Sequence, residues 1–243
     1  MIIKGGANIC GASIGVLSLE SYFPKPPGHI KNPSGLSFPV LYAIVKGMTV
    51  KRLIEQPSVE MLKPFIAAAQ HLESEGVRAI TGSCGFLALF QKELASAVNI
   101  PVFASSLIQI PMVYHMLAAG KQVGVLTADS RGLTLRHYEA VGAAHIPIVV
   151  AGMESYPEFN EVILQGQRND MDIDLIEAEI LSAALALVAK HDSIGAIVLE
   201  CTDMPPYAHR IQQETGLPVF DLTTLATMVH GAVLRMPYQG ILP

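Results

Sequence analysis

Tryptophan is absent from this chain of 243 residues, charged residues make up only 15% of it, and basic residues form no run or stripe. The formal net charge is −5 at pH 7. Proteins that bind nucleic acid or an anionic membrane surface ordinarily carry a basic patch, so we expect neither partner. A small molecule is the partner that this charge pattern favours.

Long hydrophobic runs are also missing, although 51% of the residues are hydrophobic. No run reaches the roughly 20 apolar residues that cross a membrane. The first residues lack the basic stretch and apolar core of a secretory leader. We therefore predict a cytoplasmic protein with no membrane segment.

Cysteine is scarce, with Cys10, Cys84 and Cys201 far apart in the sequence. An odd number at such spacings does not make a disulfide framework, so we expect free thiols. The eight histidines form no close Cys/His set, and no glycine-rich nucleotide motif occurs. We predict neither a metal site nor a cofactor.

Short runs rich in Val and Ile alternate with longer helical patterns, which is typical of βα units around a parallel sheet. The predicted strands are 14–18, 40–45, 77–81, 102–104, 123–127, 146–150, 194–199 and 219–221. The predicted helices are 58–75, 86–97, 106–119, 131–141, 172–191, 205–215 and 223–235.

An internal repeat is the most informative feature. The segment 77–103, "VRAITGSCGFLALFQKELASAVNIPVF", aligns without a gap to 194–220, "IGAIVLECTDMPPYAHRIQQETGLPVF". Cys84 meets Cys201 at a spacing of 117, and "SIGVLS" at 13–18 resembles "QVGVLT" at 122–127. The two halves are therefore predicted to be copies of one α/β lobe.

Both Cys84 and Cys201 follow a strand and precede a helix, which is where parallel sheets bind ligands. A helix N-terminus lowers the pKa of a thiol, so we expect both cysteines to form thiolate readily. Gly85 permits a tight turn and the close approach of a substrate, and Thr202 supplies a hydroxyl at the matching position. Two thiols facing one cleft suit inversion of a stereocentre, because one removes a proton and the other returns one from the opposite face.

The motifs "TGSCGF" and "LECTDMPPY", with the strand ends "GVLS" and "GVLT", resemble the aspartate/glutamate/hydantoin racemase superfamily over essentially the whole chain. The resemblance implies two pseudo-symmetric, Rossmann-like α/β lobes, each with a four-stranded parallel sheet flanked by helices, and an active site in the interlobe cleft. It implies a first lobe of residues 1–105 plus 223–243 and a second lobe of 106–222. A homodimer is the assembly that it suggests.

The same resemblance implies roles for individual residues. Cys84 and Cys201 match the catalytic pair of a cofactor-independent racemase or epimerase acting on an amino acid or a hydantoin-like derivative. The predicted substrate-binding residues match the cysteines' neighbours and the strand ends: Ser18, Ser83, Gly85, Phe86, Thr127 and Thr202. The substrate is expected to be a small carboxylate or a hydantoin-like molecule.

Some positions depart from the glutamate racemase pattern. Gly85 and Phe86 stand where those enzymes have Asn and Thr, and Asp203 stands where they have His. Specificity is therefore expected to differ. Two alternatives stay open: a cis-trans isomerase of the maleate isomerase type with a cysteine nucleophile, and a two-lobed small-molecule sensor without turnover.

A proline-rich stretch at 23–39, "FPKPPGHIKNPSGLSFP", is too long for an ordinary connector. Loops of this length often cover a site. Lys25, His29 or Lys31 is placed to meet a carboxylate there, although a solvated rigid loop explains the stretch equally well.

Overall fold

The computed structural model describes residue 2, residues 5–55 and residues 57–241. The outermost residues of the predicted first lobe, at 1, 3–4 and 242–243, lie outside the described residues. Among the described residues, no helix combines the length and apolar character needed to cross a membrane.

Two parallel sheets of four strands form the framework of the described chain. The strands are β1 (Ile14–Leu19), β2 (Val40–Val45), β3 (Ala79–Gly82), β4 (Val102–Phe103), β5 (Gln122–Thr127), β6 (Ile148–Gly152), β7 (Ile194–Leu199) and β8 (Val219–Phe220). The strand orders β2-β1-β3-β4 and β6-β5-β7-β8 are equivalent, so the predicted pair of pseudo-symmetric lobes is confirmed.

The strands alternate with helices that cover the faces of the sheets. These helices are α1 (Val50–Glu55), α2 (Val59–Ser74), α3 (Gln91–Ser96), α4 (Ile110–Met116), α5 (Leu135–Ala140), α6 (Pro157–Phe159), α7 (Ile173–Lys190), α8 (Ala208–Thr215) and α9 (Leu222–Val233). A π-helical turn, Asn160–Leu164, extends α6. Helix α7 begins at a proper cap, because the Asp172 carboxylate accepts the amides of Asp174 and Leu175.

The central strands of both sheets are buried on both faces, which explains why their sequences read as continuous apolar runs. Helix α9 follows the last strand of the second sheet but packs on the first. Its Leu222, Leu225 and Ala226 join a buried apolar cluster with Ile14 and Ala79. The division of the chain into 1–105 plus 223–243 and 106–222 is consistent with this packing and stays a prediction.

The segments that follow the two cysteines are tighter than predicted. Residues Gly85–Phe90 form a 3₁₀ helix before α3, and Pro205–Tyr207 form another before α8. The Leu87 amide donates to the Cys84 carbonyl at 3.1 Å, a bond to the third preceding residue that marks the tighter turn. No long α-helix therefore starts at either thiol.

Candidate active site

Cys84 and Cys201 lie just past the ends of the equivalent strands β3 and β7, and both belong to one continuous buried core. Cys84 is 6% exposed and Cys201 is 7% exposed. The two thiols are within electrostatic range of each other, since charge on Cys84 raises the pKa of Cys201 after the larger effects of burial, Asp203 and Glu200. The fold thus brings together the two cysteines that the repeat singled out.

The two cysteine segments touch each other through a pseudo-twofold pair of contacts. The Thr202 hydroxyl donates to the Ser83 carbonyl at 2.8 Å. In the matching contact, Gly85 lies against Glu200 so closely that a Cβ there would be 2.2 Å from the Glu200 carbonyl oxygen. Each residue after a cysteine therefore meets the residue before the other cysteine.

The ends of the central strands are held in equivalent ways in the two lobes. The Leu19 amide donates to the Ser83 hydroxyl at 2.9 Å, and the Ala128 amide donates to Oε2 of Glu200 at 3.2 Å. The Thr127 hydroxyl donates to the same Oε2 at 2.8 Å, whereas the Ser18 hydroxyl donates to the Leu19 carbonyl at 3.3 Å. The side chains of Ser83 and Glu200 thus have the same structural role, because each accepts a backbone amide at the end of a central strand.

The hydroxyls predicted to bind substrate are therefore engaged within the protein. Ser18, Thr127 and Thr202 each donate to a protein oxygen, and Ser83 accepts an amide. What approaches Gly85 is Glu200 and not an open cleft. A role of these groups in holding a substrate stays a prediction.

Phe86 packs away from solvent against the second lobe. Its ring meets that of His137 edge-on, with centroids 5.4 Å apart, and it also borders Gly132. Burial lowers the pKa of His137 to about 4, so this imidazole is neutral at pH 7. The packing explains Phe86 as part of the interlobe contact, and its predicted contact with substrate stays untested.

Glu200 lies in the candidate site and was missed by the sequence interpretation. Its side chain is only 1% exposed, and burial raises its pKa to about 7 despite the hydrogen bonds from Thr127 and Ala128. The gapless repeat places it opposite Ser83, and a charged residue at the end of a buried strand was the available signal. The carboxyl is poised between its neutral and ionised forms near neutral pH.

Asp203 links the second cysteine to the proline-rich segment. The Cys201 thiol donates to Oδ2 of Asp203 at 3.5 Å, and His29 Nε2 lies 3.1 Å from its Oδ1. Burial alone would raise the pKa of Asp203, but His29 and Lys25 hold it below its usual value. The carboxylate that His29 meets is thus one of the chain's own.

The proline-rich segment is fixed onto the second half of the chain. Gly28 lies against Pro206, and the Thr223 hydroxyl donates to the Gly28 carbonyl at 2.7 Å. Burial lowers the pKa of Lys25 to about 8, although Asp203 opposes the shift, and burial also lowers the pKa of Lys31. The loop places two cationic side chains within electrostatic range of Asp203.

The predicted lowering of the pKa of the two thiols is wrong. Burial raises the pKa of both cysteines well above the usual value, and the carboxylates of Glu200 and Asp203 raise it further. Hydrogen bonds from the Phe86 and Asp203 amides oppose the shift but are outweighed. Only short 3₁₀ turns follow the thiols, so the dipole of a long helix is not available to them.

A cavity of about 200 Å³ lies where the loop after β1 meets the π-helical turn of the second lobe. Its wall includes Glu20, Tyr22, Lys51, Leu164 and Arg168. Neither cysteine lines it. The small exposed fraction of Cys84 and Cys201 shows that protein surrounds both thiols, in agreement with their raised pKa.

This enclosure predicts slow alkylation of the two buried thiols. With iodoacetamide at pH 7, we expect Cys84 and Cys201 to react at least about 100-fold more slowly than Cys10, which is exposed and serves as an internal control. Raising the pH above 9 should accelerate both, because only the thiolate reacts. Peptide mass spectrometry over time measures the three rates. Labelling of Cys84 at the rate of Cys10 at pH 7 would contradict the expected state.

Comparison with known proteins identifies relatives of this chain. The family model described as Asp/Glu/Hydantoin racemase matches residues 107–229. In fold, the chain is similar to an aspartate racemase of Picrophilus torridus, with a TM-score of 0.58 and 14% identity over 91% of this chain and 95% of that one.

Among curated proteins, the chain is 32% identical to dimethylsulfoniopropionate lyase 3 of Emiliania huxleyi (strain CCMP1516) over 240 residues, 94% of this chain. It spans 62% of the length of that relative. It is also 30% identical to a dimethylsulfoniopropionate lyase of Durusdinium sp. clade D, covering 96% of this chain and 79% of that protein. The family model matches half of this chain, and the chain has the fold of the aspartate racemase. The chain therefore belongs to the Asp/Glu/hydantoin racemase family.

Proposed function

We propose that this chain is a lyase that eliminates a dialkyl sulfide from a sulfonium propionate such as dimethylsulfoniopropionate. The observation that carries the proposal is the 30–32% identity with dimethylsulfoniopropionate lyases along nearly the whole chain. The aspartate racemase, at 14% identity, supports the fold alone. An isomerase activity therefore has less support than a lyase activity.

The chemistry requires one base next to a carboxylate-bearing carbon. The base removes a proton from the carbon beside the carboxylate, the C–H electron pair forms the double bond, and the carbon–sulfur bond breaks with its electrons on sulfur. The products are acrylate, a neutral sulfide and a proton that the base later releases to solvent. A buried thiolate, desolvated and positioned, suits this proton transfer.

Cys84 is the thiol better placed to act as this base. The main carboxyl opposing its ionisation is Glu200, whose pKa of about 7 leaves it partly neutral at neutral pH. Cys201 is opposed first by Asp203, which is held ionised and accepts the thiol hydrogen. We therefore assign the base to Cys84 and a hydrogen-bonding thiol to Cys201.

Two-base racemisation is the second candidate, and the pseudo-twofold placement of Cys84 and Cys201 favours it. Each cysteine follows an equivalent strand, and each receives an amide from the second residue after it. Such symmetry suits proton removal from one face of a carbon and return on the other. An amino acid or a hydantoin-like carboxylate would be the substrate in that case.

The deciding experiment incubates the purified protein with dimethylsulfoniopropionate. We expect equal amounts of dimethyl sulfide, by headspace gas chromatography, and acrylate, by proton NMR. Aspartate, glutamate and allantoin, examined by chiral chromatography, form the racemase arm. Folded protein that releases no sulfide above the uncatalysed rate would refute the lyase function, and inversion of one of the three would establish the second candidate.

A further inference from the structure

One oxygen of the Glu200 carboxyl has no partner although it is buried. Oε2 accepts the Thr127 hydroxyl at 2.8 Å and the Ala128 amide at 3.2 Å. Within the described part of the chain, Oε1 accepts no hydrogen bond. Native proteins rarely leave a buried carboxyl oxygen in this condition, because its lost hydration is not replaced. Oε1 is therefore a buried acceptor that no described residue satisfies.

This oxygen lies between the two cysteine segments. A Cβ at Gly85 would be 2.1 Å from Oε1, so the oxygen occupies the side-chain space of the residue next to Cys84. The Glu200 carboxyl also raises the pKa of both thiols, which places it within electrostatic range of each. The unpartnered Oε1 of Glu200 thus lies close to the thiols of Cys84 and Cys201.

The repeat shows that the carboxyl is more than the fold requires. Ser83, at the equivalent position of the first lobe, holds the equivalent amide with a hydroxyl. The second lobe could do the same with a small polar side chain. What Glu200 adds is a second oxygen and, above its pKa of about 7, a negative charge.

No cationic side chain among the described residues forms an ion pair with that charge. His29 and Lys25 stabilise the ionised Asp203, whereas the groups acting on Glu200 are two carboxylates, Asp203 and Asp129, besides its burial and its two donors. Among the ion pairs of the described residues, none includes Glu200. A positive partner would have to come with the ligand.

We propose that Oε1 of Glu200 contacts the cationic group of the substrate and selects a carboxylate whose β-carbon bears a sulfonium or a quaternary ammonium. The assignment of the position of that charge rests on the proposed lyase function. Such a cation has no N–H or O–H to donate, so it is held by its charge, and the ionised Glu200 carboxylate is a buried negative group that no ion pair of the described residues neutralises. A neutral substrate of the same shape gains nothing from this contact.

The contact also explains how a buried thiol with a raised pKa can serve as a base. A positive charge bound beside Glu200 and the thiols favours the thiolate, because opposite charges stabilise each other in a site of low polarity. The thiol proton passes to solvent as the cation binds, and the resulting thiolate then removes the proton from the carbon beside the carboxylate.

The test compares two ligands of one shape and different charge. Isothermal titration calorimetry at pH 8 measures binding of 3-(trimethylammonio)propanoate and of 4,4-dimethylpentanoate, in which an uncharged tert-butyl group replaces the trimethylammonium, with NMR confirming that neither is consumed. We expect the wild-type chain to bind the cationic ligand at least about 10-fold more tightly. Glu200→Gln keeps an oxygen for Thr127 and Ala128 and should lower this ratio to about one.

Two further variants complete the design. Glu158→Gln neutralises another buried carboxylate, which pairs with Arg168, and should leave the ratio unchanged. Glu200→Ser reproduces the first-lobe solution at Ser83 and should also abolish the preference, which keeps the test available if Glu200→Gln fails to fold. Thermal unfolding verifies each variant.

A ratio near one in the wild-type chain, or a ratio retained in a folded Glu200 variant, would overturn the proposed contact. Sulfide release from dimethylsulfoniopropionate is measured on the same wild-type preparation. Release with a ratio near one keeps the lyase function and removes the cation contact. A 10-fold preference that Glu200→Gln abolishes, without release, supports the contact and removes the lyase function.

Discussion

Cys84→Ser is expected to lower the rate of sulfide release by about 10³-fold, as is Cys84→Ala. Serine restores the shape and a hydrogen bond of the thiol. Its hydroxyl, however, is far too weak an acid to supply an anion at neutral pH, so it cannot take the proton from carbon. Similar losses for the two replacements would therefore identify Cys84 as the base.

At Cys201, substitution by serine and substitution by alanine should have different effects on the rate of sulfide release. Cys201 donates its thiol hydrogen to Asp203, which His29 and Lys25 keep ionised, and a serine hydroxyl can donate in the same way. We expect Cys201→Ser to retain about a tenth of the activity and Cys201→Ala to lose about 10²-fold or more, since it removes the donor beside a buried carboxylate.

Initial rates of sulfide release, with substrate saturation curves for all four variants, measure these effects. Circular dichroism and thermal unfolding serve as controls for folding. If Cys201→Ser is as inactive as Cys84→Ser, Cys201 does more than donate a hydrogen bond. If Cys84→Ser keeps substantial activity, the base is another group and the assignment fails.

Much of the fold follows from the sequence because the central strands are buried on both faces. The uninterrupted apolar run of the central strand β7 places it at the predicted residues, and the edge strand β2 also lies where it was predicted although it is only half-buried. The other strands lie within two residues of their predicted bounds. Helix α1 and the short α6 with its π-helical turn were not predicted. Both are about two turns or less, too short for a helical period to be recognised.

The catalytic candidates were found through the repeat, which aligns Cys84 with Cys201, and not through any property of either cysteine alone. The same alignment did not identify Glu200, because it is aligned with a serine, Ser83, and because glutamate is ordinarily solvated. The shift in the pKa of the two thiols was also predicted in the wrong direction. It depends on burial and on two carboxylates that converge only in three dimensions.

Gly85 shows most clearly what tertiary structure adds to a sequence motif. The sequence suggested room for a substrate, whereas the structure fills that room with Glu200. A Cβ at this position would stand 2.1 Å from Oε1, 2.6 Å from Cδ and 2.2 Å from the backbone oxygen of Glu200. The side-chain atoms can rotate away, but the carbonyl belongs to the residue directly after β7, whose amide donates to the Leu126 carbonyl, and it cannot move without shifting the end of the strand.

Gly85→Ala is therefore expected to lower the free energy of unfolding by about 3 kcal/mol, at the upper end of the usual cost of overpacking. Gly231→Ala is the matched control, because Gly231 lies within helix α9 with no atom within 4 Å of the added methyl group. There the better helix propensity of alanine should raise stability by about 0.5–1 kcal/mol. Urea denaturation followed by circular dichroism measures both changes.

Combining Gly85→Ala with Glu200→Ser separates the two sources of the clash. The shorter side chain removes the contact with Oε1 and Cδ but leaves the contact with the carbonyl oxygen, so less than half of the lost stability should return. Full recovery in the double variant would mean that only the side chain of Glu200 requires glycine. A Gly85→Ala chain as stable as the wild type would mean that the two cysteine segments do not meet as closely as this packing requires.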